Sequence, residues 1–331
     1  MAPSDLAPAP TPAVSVLLAF RNAERWLPGC LAALAQEWAV PFELVAIDDG
    51  STDAGGALLQ RLCSHWPAWR WRLLRTEGVG VSAARNLALA AAQAPLVAFL
   101  DADDRPMPGR LAQPLAVFNR HPELAHVHGA WWRIDAEGQA QQLVQPWLEG
   151  AGFSLREALN HKAVLPSAWT LRRSALEAVG GFDPQLSQAE DVDLLLRLAS
   201  AGFQGAWLDQ PLVRYRVHAE AASQQHGAQV EGLLQVVERH GAALPADEAR
   251  ELHYATLSWT VWLAWSRGDG ALAERLLAEC GRRCPWPPVR RPVHLLEVFA
   301  RSAVRVGQPF EARALLASPF WRRAVELLQP V

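Results

Sequence analysis

No hydrophobic run in this sequence is long enough to span a bilayer, which takes about 20 apolar residues. The stretch VSVLLAF is too short even for a signal core. LALAAAQAPLVAFL and LHYATLSWTVWLAW are broken by polar residues or by Pro95. The opening MAPSDLAPAPTPA lacks a basic start and is interrupted by prolines, so residues 1–12 are expected to form a disordered lead-in and not a targeting segment. The expectation is a soluble protein facing the cytoplasm, with peripheral contact at the inner membrane face as its closest approach to lipid. Basic blocks are missing too. The net charge is −3, and Lys162 is the single lysine among 31 basic residues, which argues against nucleic acid as the main partner. Cysteine is scarce, at four residues. Cys30 and Cys63 fall in apolar helical patterns and are expected to be inert buried thiols. Cys280 and Cys284 have no second pair nearby, so reduced helix-end cysteines explain them better than a metal site.

What the chain does contain is core-forming sequence. It has 331 residues, 50% hydrophobic and 20% charged, enough for two domains or one large domain with an appendage. From residue 14 to about 135, short β-like runs alternate with helical patterns. The runs 14–20, 42–47, 71–75, 96–100 and 126–134 are nearly continuous in apolarity, as strands buried on both faces should be. Between them, Leu27, Cys30, Leu31 and Leu34 repeat at helical spacing, and Leu58, Leu59 and Leu62 repeat after STD. An alanine-rich helix over 83–92 follows, with Ser82 as its expected N-cap. The alternation predicts an α/β fold, a mostly parallel central sheet with helices on both faces. From 147 to 226 the pattern is mixed: a helix over 154–160, a strand over 168–172, the turn GGFD, a helix opened by QAED, and a last strand PLVRYRVH. Beyond Val230 every pattern is helical.

Two acidic clusters end buried strands of this sheet: DDGSTD (48–53) and DADD (101–104). Carboxylates crowded together repel one another and resist desolvation. In open α/β sheets, however, ligands bind in the crevice outside the carboxyl ends of the strands. Two clusters at equivalent ends therefore point to one ligand site more than to two turns.

The ordered set FRNAERWL, IDDGSTD, GVSAARNLAL, FLDADD, GGFD, AEDVDLLLRL and YRVH resembles the family-2 inverting glycosyltransferases of the GT-A fold, over roughly residues 13–226. The resemblance implies a GT-A domain over 13–229, with a nucleotide half (13–135) and an acceptor half (136–229), followed by a helical region over 230–331. It implies a nucleotide-sugar donor, a glycan or lipid-linked acceptor, and Mn²⁺ or Mg²⁺ as cofactor.

It also implies roles. Asp103 would bind the cation, and Asp101 would lie near the donor ribose or the cation. The chemistry fits: a hard cation reconciles an anionic diphosphate with carboxylates and stabilises the departing nucleoside diphosphate. Asp104 is expected to be a solvated or helix-entry carboxylate and not a ligand. Asp48 or Asp49 would accept the imide hydrogen of uracil, which favours a UDP-sugar, and Asn22 would contact the nucleotide. The family commonly has Pro and Tyr before this Asn. Here Phe20 and Arg21 stand there, with Phe20 the candidate for stacking. Ser51, Thr52 and Asp53 are expected to cap the next helix. Arg85, at a helix start that favours anions, would pair with the nucleotide, and Asn86 would brace the loop. In AED, Asp191 would be the general base on the acceptor hydroxyl, while Glu190 contacts the acceptor or orients the loop. Asp193 and Arg197 are expected to form a surface ion pair. His218 would join the metal or phosphate ligands and Arg216 would clamp phosphate. Trp169, with Pro166 and Ser167, falls on the acceptor side, where stacking on sugar and core packing are both open.

The helical region matches itself at an offset of 39: Gly268, Ala273, Leu276 and Leu277 against Gly307, Ala312, Leu315 and Leu316. Two related helical hairpins are expected, with Trp259, Trp262 and Leu263 in their core and Trp286 and Trp321 either exposed or docked. The region carries no acidic pair at a strand end, so acceptor placement or a protein partner is its expected role. Two other functions compete with an active transferase. A sugar nucleotidyltransferase would need a glycine-rich loop after the first strand, and LLAFRNAERW has none. A catalytically inactive sugar-nucleotide-binding module is disfavoured by the presence of both Asp103 and Asp191.

Overall fold

The computed structural model describes residues 11–66, 69–148, 152–161, 164–221, 226–305 and 309–329. Most of the expected lead-in, together with Lys162 and Gly307, lies outside the described residues. The chain divides into two compact units, Met1–Gln224 and Gln225–Val331.

The first unit is built on a nine-stranded sheet. Its strands are β1 (Val14–Phe20), β2 (Phe42–Asp49), β3 (Arg70–Thr76), β4 (Leu96–Phe99), β5 (Arg105–Pro106), β6 (His126–Ile134), β7 (Ala140–Val144), β8 (Trp169–Arg172) and β9 (Gly205–Arg216). The helices are α1 (Leu27–Leu34), α2 (Gly55–Ser64), α3 (Val81–Ala91), α4 (Ala112–Arg120), α5 (Leu155–His161), α6 (Arg173–Ala178) and α7 (Glu190–Ser200). The sheet order is β3-β2-β1-β4-β8-β6-β9-β5, with β7 paired to the second half of β6, beyond the residues that pair with β8. β1 to β4 are mutually parallel, and β6 and β9 share their direction; β5, β7 and β8 run against it.

The apolar runs form strands because they can be buried on both faces. Val14, Val16, Leu18 and Phe20 share one cluster with Leu27, Cys30 and Leu31 of α1 and Leu59 of α2. Leu17, Val45 and Ile47 are also buried, alternate with that set along the strands, and lie on the face that α3 covers. A fully buried leucine contributes roughly 2 kcal/mol, so this two-sided burial holds the strand ends in fixed positions.

Local details depart from expectation at helix starts. α3 begins at Val81 behind Gly80, which has φ +89°, so Ser82 sits inside the helix and not at its cap. Its hydroxyl donates instead to the carbonyl of Leu186 at 3.3 Å. α2 begins after Ala54, which offers no side-chain cap; of the expected three only Asp53 reaches the helix start, its Oδ1 accepting from the Gly55 N–H at 2.9 Å. All three stitch two loops together. Ser51 Oγ accepts from the Asn22 N–H, Asp53 accepts from the Glu24 N–H, and the Thr52 N–H donates to Asn22 Oδ1.

The second unit is helical: α8 (His226–Gly241), α9 (Ala246–Ser266), α10 (Gly270–Arg283), α11 (Arg291–Arg305), α12 (Ala312–Ala317) and α13 (Pro319–Leu328). Tyr254, Leu257, Val261, Trp262, Leu277, Phe299 and Trp321 build its core. Trp321 is thus neither exposed nor sticky. The internal match does not give two equal hairpins. α10 is a single 14-residue helix, whereas its counterpart is broken at Ser318–Pro319. Leu277 is buried, but the matching Leu316 is exposed. All four cysteines are free thiols, three of them buried.

Candidate active site

The two acidic clusters lie at the same end of the sheet. Asp48 and Asp49 end β2, and DADD follows β4, with β1 between them. The Leu100 N–H still pairs with Leu17 O at 3.0 Å, and Asp104 N–H closes the turn onto Asp101 O at 3.1 Å. The DADD turn is therefore a rigid extension of the strand.

Each carboxylate in it has a separate environment. Asp101 Oδ1 accepts from Arg85 Nη2 at 2.7 Å, and its N–H donates to Ser167 Oγ at 3.0 Å. Asp103 Oδ2 lies 3.0 Å from His218 Nε2. Asp104, expected in solvent, is completely buried and accepts from the Arg216 N–H at 2.9 Å. Burial and the charges of Asp103 and Asp101 push its carboxyl well above the usual carboxylate range. Asp104 is a structural anchor joining the turn to the end of β9.

Arg216 completes that anchor. Its guanidinium is buried and donates to the carbonyls of Asp103, Asp135 and Ala136, at 2.9, 3.1 and 2.7 Å, under the ring of Trp26. In this conformation Nε and Nη1 shape the turn from behind, while Nη2 takes part in none of these bonds and is left for the expected phosphate contact. Trp26 also packs on His218, with ring centroids 5.1 Å apart.

Asp103 and His218 together present one oxygen and one nitrogen donor. No group of three His, Cys, Asp or Glu side chains that could hold a metal occurs among the described residues. The pair still fits a hard divalent cation that completes its shell with substrate oxygens and water, the usual habit of Mg²⁺ sites on phosphates.

At β2, Asp49 is held by the end of β3 and the loop that follows it. It accepts from Thr76 Oγ1, from the Val79 N–H at 2.7 Å and from the Gly80 N–H at 3.0 Å. One of about four acceptor positions on the carboxylate is left. Asp48 accepts from the Ser51 N–H at 2.8 Å. Asn22 has a left-handed backbone, φ +53°, and is exposed. Phe20 is buried in the core and offers no free face for stacking.

The AED segment opens α7. Ala189 is left-handed, φ +59°, unusual for a residue with a Cβ. Glu190 Oε1 accepts from Arg85 Nη1 at 2.8 Å. Asp191 accepts from the Val192 N–H, and burial together with the charge of Glu190 pushes its carboxyl up to about 7. Arg85 is buried between the two acidic motifs and is not the solvated residue that a first-turn arginine can be. Asn86 braces the GGFD turn, exchanging two 2.8 Å hydrogen bonds with the backbone of Phe182. Asp193 and Arg197 are paired at 2.7 Å, but Asp193 is fully buried, so the pair is not a surface one.

The Glycosyl transferase family 2 model matches residues 15–180, the stretch that carries both acidic clusters and Arg85. The chain belongs to that family. This family-2 glycosyltransferase is 26% identical to EpsH of Bacillus subtilis (strain 168) over 222 residues, 65% of this chain and 64% of EpsH, just under two thirds of that relative's length. Its fold is that of S. aureus TarS 1-349, solved with UDP-GlcNAc: TM-score 0.64 and 17% identity over 90% of this chain and 93% of that one. It is also that of the mannosyltransferase PcManGT from Pyrobaculum calidifontis, solved with GDP-Man and Mn²⁺: TM-score 0.62 and 19% identity over 99% and 90%.

Two features of the family-2 site, Arg110 and Trp26, had no local signal in the sequence, and Ser167, expected on the acceptor side, meets Asp101 instead. Arg110 is fully buried and donates to the carbonyls of Ser167, Trp169 and Phe99 and to Thr170 Oγ1, bolting the end of β4 to β8. Burial pushes its guanidinium down to about 10. Ser167 supports Asp101, and Trp26 roofs Arg216 and His218. Trp169 is itself wholly buried, so core packing accounts for it.

Proposed function

We propose that this enzyme transfers a sugar, with inversion, from a UDP-sugar to a hydroxyl of a glycan or lipid-linked acceptor, using a divalent cation. The observation that carries the proposal is Asp191. It is a carboxyl raised to about 7 in the first turn of α7, beside Glu190, which is ion-paired to Arg85. A base with that affinity is half deprotonated near neutral pH and can take a proton in the transition state. The acceptor oxygen then attacks the anomeric carbon while Asp191 removes its proton. The bond from that carbon to the nucleoside diphosphate breaks on the opposite face, and a single displacement inverts the centre.

Asp103 and His218 would hold Mn²⁺ or Mg²⁺, which when bound offsets the negative charge of the leaving diphosphate. Asp101 would face the donor ribose or the cation. Asn22 and one of Asp48 and Asp49 would meet the nucleotide, Asp49 with its one remaining acceptor position. The complexes of TarS with UDP-GlcNAc and of PcManGT with GDP-Man and Mn²⁺ support a nucleotide-sugar and a cation on this fold. No helix among the described residues is long and apolar enough to cross a membrane. We place the enzyme at the cytoplasmic side, peripheral to the membrane when its acceptor is lipid-linked, and assign the helical unit to acceptor or protein-partner recognition.

A panel of nucleotide-sugars tested for hydrolysis and transfer, with Mn²⁺ and with chelator, decides the proposal. Metal-dependent turnover of a UDP-sugar with an inverted product by NMR is expected. Retained configuration overturns the inverting scheme, and binding without any turnover points instead to a non-catalytic module.

A further inference from the structure

We infer that Arg85 is a positioning residue, a buried strap that holds the donor-side DADD turn and the acceptor-side AED turn in fixed register. The inference rests on the proposed roles of those two turns. Its geometry is independent of them. The two terminal nitrogens of one guanidinium each meet a different carboxylate, Asp101 at 2.7 Å and Glu190 at 2.8 Å. The Arg85 side chain is 6% exposed, and its guanidinium carbon lies 5.2 Å from the centre of the Phe182 ring. A guanidinium engaged on both ends and covered on a face is a poor ligand for an incoming phosphate.

The rest of the α3 N-terminal half grips the same segment. Ser82 holds the carbonyl of Leu186, and Asn86 holds both backbone groups of Phe182. The segment 182–190 is thus clamped along its length, and Arg85 fixes its last residue before the base. That residue needs fixing. Its neighbour Ala189 is held left-handed, a conformation disfavoured for any residue with a Cβ. Adjacent Glu190 and Asp191 would also repel each other if neither were paired. One cation shared between the motifs satisfies Asp101 and Glu190 at once and leaves Asp191 as the member outside the ion pair. A lysine cannot do the same, because an ammonium is a point charge without a fork.

The test is a double-mutant cycle on the full chain, with Arg85→Gln, Glu190→Gln and the pair. Turnover is measured with a UDP-sugar, UDP affinity by calorimetry with Mn²⁺, and folding by thermal melting. Arg85→Gln should lower kcat by at least about tenfold, a misplacement effect, while the Kd for UDP stays within about twofold. The double variant should be no worse than the poorer single, since both remove one contact. Arg85→Lys should fold and still fail to restore kcat, and it carries the same comparison if Arg85→Gln does not fold. A UDP Kd raised about tenfold with kcat kept would make Arg85 a donor ligand and overturn the inference. So would effects of Arg85→Gln and Glu190→Gln that multiply. Asp191→Asn separates the two levels: full activity there sinks the assigned base, whereas an inactive Asp191→Asn with a multiplicative cycle sinks only the strap.

Discussion

Replacing Asp191 by asparagine should make the protein more stable and nearly inactive. The carboxyl sits at about 7 in the folded chain because burial and Glu190 disfavour its charge, against the pull of the Val192 N–H and of Arg85. An unfolded aspartate titrates near 3.9, so between about pH 4 and pH 7 the folded state holds more protons than the unfolded one. Stability therefore falls as pH rises through that window, and the penalty is complete above it. A gap of about three pH units corresponds to about 4 kcal/mol at most, and partial contact of Asp191 with water screens some of it. The amide of the Asp191→Asn variant never ionises. At pH 8 the variant should gain roughly 2–4 kcal/mol in urea unfolding without nucleotide or metal, and the gain should vanish near pH 4. Its turnover should drop by roughly 10²-fold or more. In the parent, kcat/KM should reach half its plateau near pH 7 and about a tenth at pH 6. An Asp191→Asn protein no more stable than the parent at pH 8, or a parental rate flat from pH 5 to 8, would refute the reasoning.

Asp103→Ala should abolish transfer and remove the metal-dependent part of UDP binding, leaving metal-free binding as it was; calorimetry with and without Mn²⁺ reads this. UDP should bind better than CDP or ADP, and the preference should shrink in Asp48→Ala or Asp49→Ala, with equal binding of all three by the parent counting against a carboxylate that reads the base. Arg216→Met should cost about 3 kcal/mol in urea unfolding, because three carbonyls lose their donor and Asp104 loses a nearby cation; a loss below about 1 kcal/mol would show that the turn does not depend on it.

β1, β2 and β4 were legible because they are buried on both faces and write that burial into the sequence as apolar runs, whereas the edge strand β3, expected to be buried likewise, is half-buried to exposed along its length. β1 and β6 have the bounds their composition suggests. β5 has only two residues, β7 is a polar edge strand, and the first half of β9 reads GAWLDQ, so none of the three carries a local pattern. The reversal of β8 is not a local property at all; it follows from which edges are left to pair. At the site, DADD and AED could be placed because backbone position alone determines where they sit. The partners of Arg85 and Arg216 could not, since Glu190 and Asp103 lie 105 and 113 residues away along the chain. Asp104 was misjudged for the same reason: its burial is made by the end of β9, not by its neighbours in DADD.

The antiparallel β8 has a consequence for how the chain folds. Among the described strands it alone links β4 to β6, and it is made roughly 70 residues after β4 ends. While the chain is being synthesised, the four parallel strands β1 to β4 therefore wait with one flank open, and that flank is LVAF, apolar at every position and free of proline or charge. Such an edge is a template for pairing with other chains. Contacts this distant also close slowly. A chain stopped at residue 135 would have β4 and β6 both bare of the strand that joins them, and should aggregate instead of forming a nucleotide-binding half. The two parts of the sheet on either side of β8 should therefore fold as one cooperative unit, and insertions tolerated elsewhere in the first unit should fail at Trp169–Arg172.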